Sequence, residues 1–209
     1  RLEGYRNFCN KIWNAARFIT LLSSQTPGKD HGIQIECSHW IQAQVARLKE
    51  NHEELLKTYR FDLIAKDLHH GFWHDFCDWY IELAKVTYES TNDPKIKAQL
   101  THDLQHTLFQ YLYLLHPIIP FITEEIFSQM QNQHSSLLNF PYPEPLHSKN
   151  DNLIIESTHT LISWTNQIRT MRSELGIKPS AWLEFQSTQG LEHPQLELFL
   201  TLTKLKPSS

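Results

Sequence analysis

Apolar residues recur at steps of three and four along most of this chain, and that spacing leaves little choice but helix. The longest such run, from Phe61 to about Tyr88, sets Ala65, Leu68, Phe72, Phe76, Trp79 and Leu83 on one stripe. A strand would repeat every second residue, whereas a helix of 3.6 residues per turn repeats in this way. Similar stripes define four more helices. Tyr5–Leu22 carries Phe8, Ile12, Ala15, Ala16, Ile19 and Leu22 on one side. A second helix, with Ser38 as its expected N-cap, carries Ile41, Val45, Leu48, Leu55, Leu56 and Tyr59. Asp93-Pro94 supplies a cap and a first-turn proline for a helix through Leu100, Leu104, Leu108, Tyr111 and Leu115. His116-Pro117 stops it, and a short helix follows from Pro120 to about Met130. A further helix, about Asn152 to Leu175, aligns Ile154, Leu161, Trp164, Ile168, Met171 and Leu175. Alternation of period two occurs only in residues 181–187, before a last helical pattern from Pro194 to Leu205. The expected fold is an all-α antiparallel helix bundle with a truncated small α/β appendage. Its expected parts are a bundle over 1–131, a proline-rich linker over 132–150, a further helix packed on the bundle over 151–178, and the start of a small α/β unit over 179–209.

With 209 residues, 40% of them hydrophobic, one sizeable core can be buried. The net charge is −4, so any polyanion must be met by a local patch and not by the whole field. Residues 1–22 supply one, with Arg1, Arg6, Lys11 and Arg17 against Glu3. The stretch 61–89 is acidic, with Lys66 and Lys85 against six carboxylates. Cys9, Cys37 and Cys77 form no Cys-x-x-Cys pair, so neither a disulfide framework nor a structural zinc site is indicated, and a reducing, cytoplasmic setting is expected. No apolar run is long enough to span a bilayer. Arg1 starts the chain inside helical pattern, so a piece of a longer protein is expected.

The first helix gives the sharpest functional signal. Arg6, Asn7, Asn10, Lys11, Asn14 and Arg17 share the face opposite its apolar side, and Phe18 stands among them. A flat ring flanked by cations and amides suits stacking on an unpaired base with phosphates alongside. A helix-end phenylalanine covered by the next loop would give the same pattern. His70, His74 and Asp78, four apart, have ligand types for zinc or iron, though a solvated face explains them as well and no metal site is expected. Gly71 in mid-helix points to close packing, since glycine costs about 1 kcal/mol there relative to alanine. Asp78 and Glu82 form a carboxylate pair with no nucleophile motif beside it. Arg169 and Arg172 make a second basic strip, suited either to phosphate or to ion pairing with Glu174 or the acidic third helix. No glycine-rich phosphate loop or nucleophile elbow occurs.

Four blocks in order, RNFCNKIWNAARF (6–18), YRFDLIAKDLHHGFWHDFCDWYIELAK (59–85), LLHPIIPFITEEIF (114–127) and IRTMRSELGIKP (168–179), carry a resemblance. Together with NFPYPEP (139–145), they resemble the anticodon-binding region of class I aminoacyl-tRNA synthetases for branched aliphatic amino acids. FCDWYIELAK is most similar to the valine-specific branch; the isoleucine and leucine branches, or a helical interaction or metal-binding domain, are the alternatives. The resemblance implies that the bundle receives a tRNA anticodon arm. It implies base stacking by Phe18, base or phosphate contact by Lys11 and Asn14, and backbone contact by Arg6, Asn7 and Arg17. It further implies a parent enzyme that joins valine to tRNA with ATP and Mg, whose catalytic domain would be this region's partner in the same chain. No catalytic residue or cofactor is expected within the region, and neither membrane nor DNA as a partner.

Overall fold

A computed structural model describes residues 2–131, 136–140, 151–186 and 195–207. In chain order, helices α1 (Leu2–Gln25) and α2 (Glu36–Lys57) lead to α3 (Phe61–His70). A π-helical stretch (Gly71–Tyr80) continues α3 without a break into α4 (Ile81–Ser90). Then come α5 (Pro94–Leu115), α6 (Pro120–Gln131), a 3₁₀ turn (Leu137–Asn139) and α7 (Asp151–Glu174). Strand β1 (Leu183–Phe185), helix α8 (Leu196–Thr203) and strand β2 (Leu205–Pro207) close the list. Helix α1 packs on α5, α6 and the π stretch, α2 packs on α3, α5 and α7, and α8 bridges α4 and α7. The fold is the expected all-α bundle, with a parallel two-stranded ribbon pairing Leu183 with Leu205 as its small appendage.

The stripes bury as their spacing dictates. Phe8, Ile12, Ala15, Ala16 and Ile19 of α1 are in the core, as are Leu100, Leu104, Leu108, Tyr111 and Leu115 of α5. Asp93 caps α5 by accepting from the Lys95 amide, with Pro94 in the first turn. At the centre, Phe72 and Phe76 each meet the Tyr111 ring, at centroid distances of 5.5 and 5.4 Å. Gly71 lies where a Cβ would come within 2.9 Å of Leu48 Cδ1 and 3.1 Å of the Tyr111 hydroxyl. Close packing therefore accounts for a glycine in mid-helix.

Several expectations fail for identifiable reasons. Ser38 does not cap α2, which starts at Glu36; its buried hydroxyl shares a 3.1 Å hydrogen bond with that of Tyr80. Leu56 and Tyr59 are exposed, because the chain leaves the helix at Thr58 and Tyr59 takes a left-handed φ of 55°. Met171 and Leu175 are exposed at the outer end of α7. Within the proline-rich segment a 3₁₀ turn forms, buries Leu137 and sets Phe140 against Phe109 and Phe127. Residues 132–135, 141–150, 187–194 and 208–209 of the expected linker and appendage lie outside the described residues.

A polar seam crosses the core between α2 and α5. Lys49, 2% exposed, donates from Nζ to Gln110 Oε1 at 2.9 Å. Gln110 donates in turn to Gln42, Gln42 to Thr107, and Thr107 to the Asp103 carbonyl. Burial brings the Lys49 ammonium down to about 8.

Candidate functional site

Helix α1 lies at the edge of the bundle, so its polar face stays open. Arg6, Asn7, Asn14 and Arg17 are exposed. Arg6 makes only a 3.6 Å surface pair with Glu3, both side chains largely in solvent, and such pairs are worth at most about 1 kcal/mol. Phe18 is half-buried: one part of the ring packs on the core, and the Lys85 ammonium of α4 stands 4.5 Å from its centroid. Between α1 and α6 runs a groove of about 670 Å³ whose walls include Trp13, Asn14, Arg17, Phe18, Leu21 and Met130. Aromatic and aliphatic walls with a guanidinium on the rim can take a flat heterocycle and neutralise its phosphate.

Lys11 is engaged elsewhere. Its Nζ donates to Asp78 Oδ1 at 2.8 Å and lies 5.2 Å from the Trp73 ring centroid. The reason is the acidic π stretch beside α1, which offers the nearest carboxylate. Asp78 also meets His74 Nδ1 at 3.2 Å, and His70 turns to Asp75 at 3.9 Å. The spaced His70, His74 and Asp78 thus have local side-chain partners, and among the described residues no three such side chains converge as metal ligands would. Burial pushes the Asp75 carboxyl up, against the pull of His70, His159 and His74.

The second basic strip divides. Arg169 pairs with Glu82 of α4 at 2.6 Å and lies over Trp79, the ion pairing with the acidic helix that its position suggested. Arg172 departs from both expectations. Its side chain is buried and donates to the carbonyls of Lys178, Ala181 and Thr203. It is a brace for the appendage and presents nothing to phosphate. The carboxylate pair Asp78 and Glu82 is likewise spent on Lys11 and Arg169.

Sequence reasoning missed Lys85, Trp13 and Met130. Lys85 left a faint trace as one of two cations in the acidic stretch 61–89. The part of Met130 depends on how α6 lies along α1, which no local pattern encodes.

A helical bundle with one basic, aromatic edge defines a class, and comparison agrees: the chain belongs to the family of the anticodon-binding domain of tRNA ligase, which matches residues 38–187. Within it, the chain is similar to the valine–tRNA ligase of Coxiella burnetii, 37% identical over an alignment of 195 residues that covers 86% of this chain and 20% of that protein. It is equally similar to the valine–tRNA ligase of Legionella pneumophila strain Paris, 37% identical over 188 residues. The chain spans 20% of the length of these relatives.

Proposed function

We propose that this chain holds the anticodon arm of a tRNA as one part of a valine–tRNA ligase. The supporting observation is the open edge of α1, where Phe18, Asn14 and Arg17 border one groove on a fold of the anticodon-binding family. In this reading an unpaired base takes the Phe18 ring, Asn14 contacts the base, and Arg17, Arg6 and Asn7 meet the backbone. A stacked base contributes about 1–3 kcal/mol. Lys11 has a smaller part than its sequence position implied, since it must first leave Asp78. The bundle of 1–131 with the helix of 151–178 forms the RNA-holding body, and 179–209 is a small appended unit.

Valine ligation, and the ATP and magnesium it needs, are assigned in this proposal to a catalytic domain of the same polypeptide outside these residues. The proposed setting is the cytoplasm, and no helix among the described residues is long and apolar enough to cross a membrane. The similarity to two valine–tRNA ligases favours valine over isoleucine or leucine. The test is Phe18→Ala in the complete ligase. It lowers kcat/KM for tRNA about tenfold, the value of one stacking contact, and leaves valine-dependent ATP–pyrophosphate exchange near normal. Equal losses in the two assays overturn the proposal.

A further inference from the structure

The Lys85 ammonium covers one face of the Phe18 ring and does not line the groove between α1 and α6, so a base that stacks on that face has to take its place. It stands 4.5 Å from the ring centroid, while stacked rings approach to about van der Waals contact. Lys85 is exposed, and no carboxylate pairs with it among the described residues, so only the ring holds its charge in place. The neighbouring cations differ. Lys11 is tied to Asp78, and Arg169 to Glu82. A cation–π contact at an exposed site is worth about 0.5–1 kcal/mol, less than a stacked base, so the exchange is favourable. The displaced ammonium sits on a flexible four-carbon stem, long enough to swing off the ring and meet an anion close by.

We propose that Lys85 is a second RNA-binding side chain of this edge: it covers the Phe18 ring in the free protein and passes to a phosphate when an unpaired base takes the ring. The inference rests on the reading of Phe18 as a stacking residue. It also gives the acidic helix a role in RNA binding, through Lys85, whose ammonium lies over a ring of α1.

The experiment titrates this chain with a fluorescent hairpin RNA bearing a valine anticodon in its loop, at a series of salt concentrations. Wild type, Lys85→Met, Lys85→Arg and Phe18→Ala are compared. Methionine keeps the length and apolar stem and loses the charge. Lys85→Met is expected to flatten the slope of log K against log salt by about 0.7, the value of one phosphate on a single strand. Lys85→Arg retains the wild-type slope. Because Lys85 is exposed, the melting temperature of each Lys85 variant stays near wild type, so folding does not confuse the result. If Phe18→Ala weakens binding while Lys85→Met changes neither slope nor affinity, the proposal is overturned and the stacking reading stands. Tighter binding by Lys85→Met also overturns it, since the lysine would then only compete for the ring. If Phe18→Ala binds as wild type does, the stacking reading itself fails, and the role of Lys85 with it.

Discussion

A buried lysine hydrogen-bonded to a neutral amide carries a folding cost that depends on pH. Lys49 has one hydrogen bond, to Gln110, and its ammonium titrates at about 8 in the folded chain against about 10.4 when unfolded. Between these values the unfolded chain binds the proton and the folded chain does not, so this group makes stability rise as pH increases through that window. Below pH 8 both states are protonated, and the cost, at most about 3 kcal/mol, is present in full. Denaturant melts from pH 7.5 to 10 are therefore expected to show a Lys49-dependent gain that Lys49→Met lacks. Identical pH profiles for the two proteins would refute this. The lysine was not read from the sequence as buried, because long cationic side chains usually reach water by extending along the surface. Phe18 drew notice for the opposite reason: a large ring among polar neighbours interrupts the helix pattern in plain view.

At the scale of elements, the helices that follow an apolar stripe were readable almost end to end, and α5 was read with its cap and first-turn proline. Where the stripe reached solvent at a helix's end, as at Leu56 and Leu175, burial depended on partners that the sequence does not name. The appendage was the least legible part, since its two short strands pair across a gap in sequence and one side chain from α7 gathers the loop beside them. That side chain is Arg172, with bonds of 2.8, 2.5 and 3.3 Å to Lys178, Ala181 and Thr203. Removing it takes the donor from one buried carbonyl, that of Thr203, and from two part-buried ones, so Arg172→Ala should cost about 1–3 kcal/mol. The loss should be local: amide exchange in β1 and α8 accelerates, while α1 and α5 stay protected. Arg172→Lys should recover less than half, because a point ammonium cannot span three acceptors as a planar guanidinium does. Uniform exchange across the chain would show that Arg172 is not a local brace.

For the molecule as a whole, a net charge of −4 with a basic edge confines RNA binding to few phosphates. Counting Arg6, Arg17 and Lys85 as the available cations gives a salt slope of about −2 for a single-stranded loop. A slope steeper than about −5 would mean that the RNA lies across a far wider surface. How the proposed RNA-binding edge is assembled is itself decided in the middle of the fold. Leu68, Phe72, Phe76, Tyr80 and Ala84 are all buried and follow one another at intervals of four. An α-helix of 3.6 residues per turn would carry such a row progressively off its seam, and the looser winding of Gly71–Tyr80 keeps it aligned. Looser winding also means less rotation per residue, so the helix emerges at Ile81 on a different bearing from the one it held at Phe61. The compass setting of α4, and with it the direction in which Lys85 reaches, is thus fixed several turns upstream by the diameter of a coil. Shortening that coil by one residue would rotate the whole of α4 and part the lysine from its aromatic neighbour without altering either of them.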